Sequence, residues 1–288
     1  MQAWPALAAA QAHDPATRMP FVVDLDGARV HAGSVARAHA RALHRWPHWV
    51  QATDQHVTLI APAAERAAAL AEMNHALRAD GLIVAWREEP FPLFDVNGRA
   101  LGVSMERAAA RFWGTLTLGA HCNGYVADAQ GRPAQIWIAR RAPTKVTDPD
   151  RLDNLIGGGV PAGQSPRDTV IREGWEEAGL LHEQMRGLQR GRVLHLLRDI
   201  PEGLQREWIH VYDLALPADT TPRNQDGEVA ELALHGVAAA LALAASSEMT
   251  VDAALVTLDF ALRHRLLGAA DHAALSAVAN DLFAGESA

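Results

Sequence analysis

Glu173, Glu176 and Glu177 are the residues of this 288-residue chain whose spacing most asks for chemistry. At positions i, i+3 and i+4 of a helix they share one face, within a side-chain length of each other. Carboxylates so placed repel by roughly tenths of a kcal/mol per pair in water, and by more where partly buried. Arg172 can offset one charge. A hard divalent cation with oxygen ligands, Mg²⁺ or Mn²⁺, would offset the rest and bridge to substrate phosphates. The alternative is a solvated acidic face, which charged runs commonly are.

Other groups could serve such a centre. Gly157, Gly158, Gly159 and Gly163 would let the backbone approach phosphate oxygens, or would form only a tight turn. Of these, Gly158 and Gly159 are the candidate substrate contacts. Arg140, Arg141 and Lys145 follow a strand and could meet diphosphate charge. His121 and Asn123, on another strand, could touch the organic part of a substrate. Glu228, in the turn-rich Asp226-Gly-Glu stretch, is a candidate general base, with Glu176 or Glu177 as the other choices. Trp86, Trp113, Trp137 and Cys122 read as packing residues.

The helix under the glutamates is punctuated at both ends. Ser165 fits the N-cap, Pro166 the first turn, Asp168 a capping box and Gly179 the left-handed position past the end, so the helix should span 166–178. At about 100° per residue, Val170, Ile171, Gly174, Trp175 and Ala178 fall on a packing arc and Arg172 with the glutamates on the opposite one.

The stretch 158–180 resembles the Nudix box: glycine, five residues, glutamate, seven residues, then Arg-Glu-apolar-x-Glu-Glu-x-Gly-apolar. Gly158, Arg172, Glu173, Glu176, Glu177, Gly179 and Leu180 are in register. Gln164 stands where the pattern has its first glutamate, and Gly174 where it has an apolar residue. The resemblance implies a Mg²⁺-dependent pyrophosphohydrolase with Glu173, Glu176 and Glu177 as metal ligands, and Arg172 and Gln164 in supporting structural roles. The runs 121–126, 137–141, 152–159 and 226–229, with Trp86-Arg-Glu-Glu-Pro-Phe91 and Glu106-Arg-Ala-Ala-Ala110 before them, resemble the Nudix subgroup related to thiamine pyrophosphokinases, which carries an extra N-terminal domain. That likeness implies thiamine diphosphate, or its oxidised and damaged analogues, as substrate. ADP-ribose, a dinucleotide or a coenzyme A derivative would suit the same box. A Nudix scaffold that senses a ligand without cleaving it is the reading that Gln164 and Gly174 favour.

Around these residues the chain reads as two units. Helices are expected at 34–46, 63–80 and 104–112, and strands at 57–60 and 82–87, giving a small α/β N-terminal domain over 1–114. Over 115–288 come a hairpin of strands 115–127 and 135–140, the glutamate helix, strands 190–198 and 204–215, and helices 250–266 and 271–284. The expected fold is α/β (α+β), a Nudix-type mixed sheet sandwiched between helices.

Composition sets the outer bounds. With 49% apolar residues the chain can bury a core, and at net charge −8 with scattered basic residues it is not suited to track nucleic acid. One cysteine rules out an internal disulfide and cysteine-ligated zinc or iron–sulfur sites. No run approaches the roughly 20 apolar residues that span a bilayer, and no leader is evident. The expectations are a cytoplasmic protein, no membrane or nucleic-acid partner and a small-molecule diphosphate as ligand, with a homodimer allowed but the oligomeric state not set by the sequence.

Overall fold

Asp26 and Gly27 both take positive φ, 53° and 93°, the backbone that closes a two-residue hairpin. The computed structural model, which describes residues 3–284, accordingly begins with a short helix α1 (Pro5–Ala9) and then joins β1 (Arg18–Leu25) to β2 (Ala28–Ala36) across this turn. β3 (Val50–Ala52) and β4 (Val57–Leu59) complete a four-stranded sheet in the order β2-β1-β4-β3, with β1 and β4 parallel. α2 (Arg66–Ala79) contributes Ala69, Leu70, Met73 and Leu77 to its core. β5 (Pro90–Phe94) and β6 (Ala100–Glu106) form a separate ribbon, and α3 (Ala109–Trp113) places Trp113 in the same core, where Nε1 donates to Asn74 Oδ1 at 2.8 Å.

Three expected elements of this region differ. Residues 34–36 extend β2, and only Arg37–Arg45 coil, as a 3-10 helix. The expected strand at 82–87 is an irregular loop, because Ala85 sits at φ 59° and breaks extension. The expected helix at 104–112 is strand as far as Glu106, paired with β5, before the five residues of α3.

The rest of the chain forms an eight-stranded mixed sheet. Its path runs β13 (Val229–Gly236), β8 (Pro133–Arg141), β7 (Leu116–Ala127), β12 (Gly203–Ala215), β11 (Gln189–Ile200) and β14 (Phe283–Ala284). β9 (Leu152–Asn154) adds to β8, and β10 (Ile156–Gly159) adds to β7. The β7–β12 pair is parallel and its neighbours antiparallel. α4 (Pro166–Ala178) covers one face, its Val170 and Ala178 sharing a core with Ile156 and Met185. α5 (Val237–Ala244), α6 (Val251–Arg263) and α7 (Ala269–Ala279) cover the other, over Ile138, Leu194, Leu196 and Val211. This is the expected mixed sheet between helices, behind a separate N-terminal domain. β13 and α5 had no counterpart in the expected element order, and the last helix stops at Ala279 so that Phe283 can pair with Leu194. Cys122, on β7, is wholly buried, and burial pushes its thiol pKa well up. Among the described residues no helix is long and apolar enough to cross a membrane.

The two domains are joined by more than the chain. Ala162 N–H donates to Pro90 O at 2.9 Å, and Asp14 N–H donates to Asp199 Oδ2 at 2.8 Å. Arg87 of the N-terminal domain reaches Glu228 at 3.0 Å.

Candidate active site

α4 is set by its ends. Ser165 and Asp168 form a reciprocal capping box, Pro166 occupies the first turn, and Gly179 closes the helix at φ 64°, where a Cβ would be costly. Its burial departs from the projected arcs. Trp175 is 50% exposed, whereas Glu177 is buried and Thr169 fully so. The space at Gly174 is taken by Met185 and Ile156, which a Cβ would meet at 2.7 and 3.2 Å. The helix is therefore rotated toward β10 on its acidic side.

That rotation brings two glutamates onto the glycine strand. A Cβ on Gly158 would lie 2.3 Å from Glu173 Oε1, and Gly157 N–H donates to Glu177 Oε2 at 2.8 Å. Burial, then the neighbouring Glu173 charge, pushes the Glu177 pKa up to about 8; burial also raises that of Glu173. Arg172 binds Glu173 at 2.7 Å and Glu176 at 2.6 Å, while its Nε donates to Gln164 Oε1 at 3.3 Å. Thr169 also donates to Gln164 Oε1, at 3.2 Å. Glu176 is the outermost of the three, held by Arg172.

The fit to a divalent cation follows from these contacts. The donors are all carboxylate oxygens, the kind a hard cation takes, and Glu177 is buried beside a partly buried Glu173, both with their charges resisted. Among the described residues no three His, Cys, Asp or Glu side chains already surround one point, because the guanidinium of Arg172 bridges Glu173 and Glu176. The set fits Mg²⁺ or Mn²⁺ in kind, and the cation would compete with Arg172 for two of its three ligands.

Glu177 also lines a small cavity with Arg141, Lys145, Asp153 and Glu228. Lys145 pairs with Glu228 there, and Arg141 donates to Asp153 Oδ2 at 2.8 Å. Burial lowers the Lys145 pKa. Through Arg141 and Asp153 this cavity adjoins a cleft of about 590 Å³ between the two domains, lined by Gly157, Gly158 and Gly159 on one side and by Arg87, Arg107 and Arg111 on the other. Farther along, Gln205 Nε2 bridges Glu207 at 2.9 Å and Asp252 at 3.1 Å. Burial, then the Glu207 charge, raises the Asp252 pKa to about 6, and Arg111 lies 3.6 Å from Glu207 at this end of the cleft.

Two sequence-derived candidates lie elsewhere. Asn123 is 1% exposed beneath α6, donating to Val256 O at 3.3 Å and accepting from Asn154 at 3.2 Å, so it is occupied by the core. His121, two residues earlier on the same face of β7, does line the cleft. Arg140 points away, donating to Asp150 O at 2.8 Å beside Glu231, because neighbouring strand residues face opposite sides. Arg141 takes the inward position. Sequence reasoning gave no role to Asp153, Arg87, Arg107, Glu207 or Asp252. The first three lie inside segments whose likeness to the subgroup was visible, 152–159, 86–91 and 106–110, while Glu207 and Asp252 carried no local signal.

Comparisons with known proteins bear on these residues. Residues 119–253 match the family model described as the NUDIX domain, and residues 4–117 match one described as a domain of unknown function (DUF4743). Nudix hydrolase 20, chloroplastic, of Arabidopsis thaliana is 36% identical over 203 residues, covering 69% of this chain and 53% of the relative. Nudix hydrolase 24, chloroplastic, of the same plant is 35% identical over 218 residues, covering 74% and 59%. The chain thus spans a little over half the length of these relatives. The crystal structure of DR0079 from Deinococcus radiodurans aligns with a TM-score of 0.45 at 22% identity, over 60% of this chain and 99% of that one.

Proposed function

We propose, from the match of residues 119–253 to the NUDIX domain model, that the chain is a divalent-metal-dependent pyrophosphohydrolase that cleaves a small-molecule diphosphate to a monophosphate. The observation that carries this reading is the seating of Glu177. Its carboxylate is buried, accepts from Gly157 N–H, and lines the cavity next to the interdomain cleft with its pKa raised to about 8. A carboxylate kept there at such cost is what a cation-dependent site needs.

Glu173, Glu176 and Glu177 would hold Mg²⁺, with Mn²⁺ as substitute. Bound there, the cation would polarise a phosphorus and lower the pKa of an attacking water. Arg172, supported by Gln164, keeps Glu173 and Glu176 extended on the helix face. Gly158 and Gly159 leave the strand bare, so phosphate oxygens can approach the backbone. Arg141 and Lys145 offset diphosphate charge beside Glu177. In this reading Glu228, held by Lys145 and Arg87, would take the proton of the water.

For the substrate we favour thiamine diphosphate or its oxidised analogues. Glu207, paired with Arg111 at 3.6 Å, and Asp252 bring carboxylates into a cleft that also holds Arg87 and Arg107, so one lining offers partners for both a cationic ring and a diphosphate. The test is a screen of thiamine diphosphate, its oxidised analogues, ADP-ribose, a dinucleotide and coenzyme A with Mg²⁺, scored by monophosphate release. The thiamine compounds should be turned over fastest, and Glu177→Gln should abolish most activity. Faster turnover of ADP-ribose would overturn the substrate assignment. Absence of any hydrolysis would overturn the reaction and favour a ligand-sensing module.

A further inference from the structure

The segments 86–91 and 106–110, brought together at the open end of the β5–β6 ribbon, meet at the cleft. The loop that carries Arg87 holds two non-glycine residues in the left-handed region, Ala85 at φ 59° and Glu88 at φ 60°. The Glu106 carboxylate fixes that bend by accepting from the backbone N–H groups of Arg87 at 3.0 Å, Glu89 at 3.1 Å and Ala108 at 3.2 Å. So shaped, the loop carries Arg87 out of its own domain until Nη1 donates to Glu228 Oε1 at 3.0 Å. Arg107 follows Glu106 directly. Its Nη1 donates to Glu89 at 3.0 Å, its guanidinium carbon lies 5.3 Å from the centre of the Phe91 ring, and that carbon is 3.2 Å from where a Cβ on Gly159 would be.

Both guanidiniums therefore stand in the wall of the cleft that faces the glycine strand. Among the described residues each makes its hydrogen bond to protein through Nη1 alone, leaving its other N–H donors for a ligand. The crowding of cations is itself costly: burial, then Arg107, with Arg141 contributing, lowers the Arg87 pKa. Like charges and spare donors together suit one kind of occupant, a multiply charged anion with several acceptor oxygens.

We infer that Arg87 and Arg107 are diphosphate-binding residues, so that the N-terminal domain builds one wall of the phosphate site. The choice of diphosphate as the anion rests on the pyrophosphohydrolase reading. The glycine strand supplies the opposite wall, and the anion lies between the domains with Glu177 and Arg141 at its side.

The full-length chain and the variants Arg107→Gln, Arg107→Lys and Arg87→Gln are compared, with Arg45→Gln, an exposed residue paired with Asp80, as control. Calorimetry reads the binding of methylenediphosphonate, kinetics read KM and kcat for whichever diphosphate is cleaved, and thermal unfolding reads the fold. Arg107→Gln and Arg87→Gln should each weaken methylenediphosphonate binding and raise KM by about tenfold. Arg107→Lys should recover part of the loss, and the control should match the parent. Where Arg107→Gln does not fold, Arg87→Gln, on the loop, carries the same expectation. Parental affinity in both glutamine variants overturns the inference, as does a lowered unfolding temperature with unchanged affinity, which would mark the arginines as structural. Arginine-dependent binding in a chain that cleaves no diphosphate supports the inference and sinks the reaction. Normal cleavage with arginine-independent binding does the reverse.

Discussion

Alanine at position 158 would put its methyl carbon 2.3 Å from Glu173 Oε1, closer than any real contact allows. The carboxylate would have to move, and displacements of this order cost about a hundredfold in rate where a group must be held in position. Gly158→Ala should therefore lower kcat by about two orders of magnitude with little change in unfolding temperature; an alanine variant with parental kcat would remove Glu173 from the machinery. Single residues were legible in the sequence where their neighbours are local. Ser165, Asp168, Arg172 and the three glutamates lie within a few turns of one another, so spacing alone places them on one helix. Arg140 and Arg141 could not be told apart in the same way. Alternation along β8 turns only one of them inward, but which side holds the cleft is decided by Asp153 and Glu231, from other strands. Nor could Asn123 be distinguished from His121, since the residues that occupy it come from α6 and β9, more than 30 positions away.

At the scale of elements, α6 is fastened to the sheet by charge as well as by its apolar face. Arg263 donates to Asp259 at 2.6 Å and to both oxygens of Asp213 on β12, at 2.5 and 2.9 Å, and His264 reaches Asp213 at 2.9 Å. Asp259 has no exposure and Asp213 almost none. Arg263→Met would leave buried carboxylates short of a partner, and should cost about 3–5 kcal/mol in urea unfolding. Loss of less than about 1 kcal/mol would show the network to be dispensable. Burial works against the Asp213 charge, but Arg263 and His264 hold its pKa below the ordinary carboxylate value. Its contribution is thus fully present above the unfolded-state pKa of about 3.9 and is lost as pH falls through the lower folded value. In Arg263→Met the acid limb of the unfolding-temperature profile should begin at higher pH. The sequence conveyed α4, the β11–β12 hairpin and the centre of α6, because each has its own caps, turn or run of apolar residues. It missed β13, whose exposed and half-buried residues alternate weakly, and misread 82–87, where apolar Leu82, Ile83 and Val84 suggest a strand that the backbone at Ala85 does not permit.

At the scale of the molecule, the two domains share hydrogen bonds, an ion pair across the cleft and the packing of α3 on β12. Unfolding should therefore be a single transition whether followed by tryptophan emission, with Trp113 in one domain and Trp208 in the other, or by far-ultraviolet circular dichroism. Two separated midpoints would show the domains to be independent and the cleft to be easily opened. That the N-terminal domain faces the glycine strand was not legible in the sequence, because no pattern within either half specifies how two finished domains dock. One further property of the whole follows from Cys122, the sole thiol, sealed within β7 and kept protonated. A cysteine introduced anywhere on the surface would be the only one that reacts with a maleimide dye or a nitroxide reagent. Paired labels, one on each side of the gap, would then report its width in solution without any change to the native thiol.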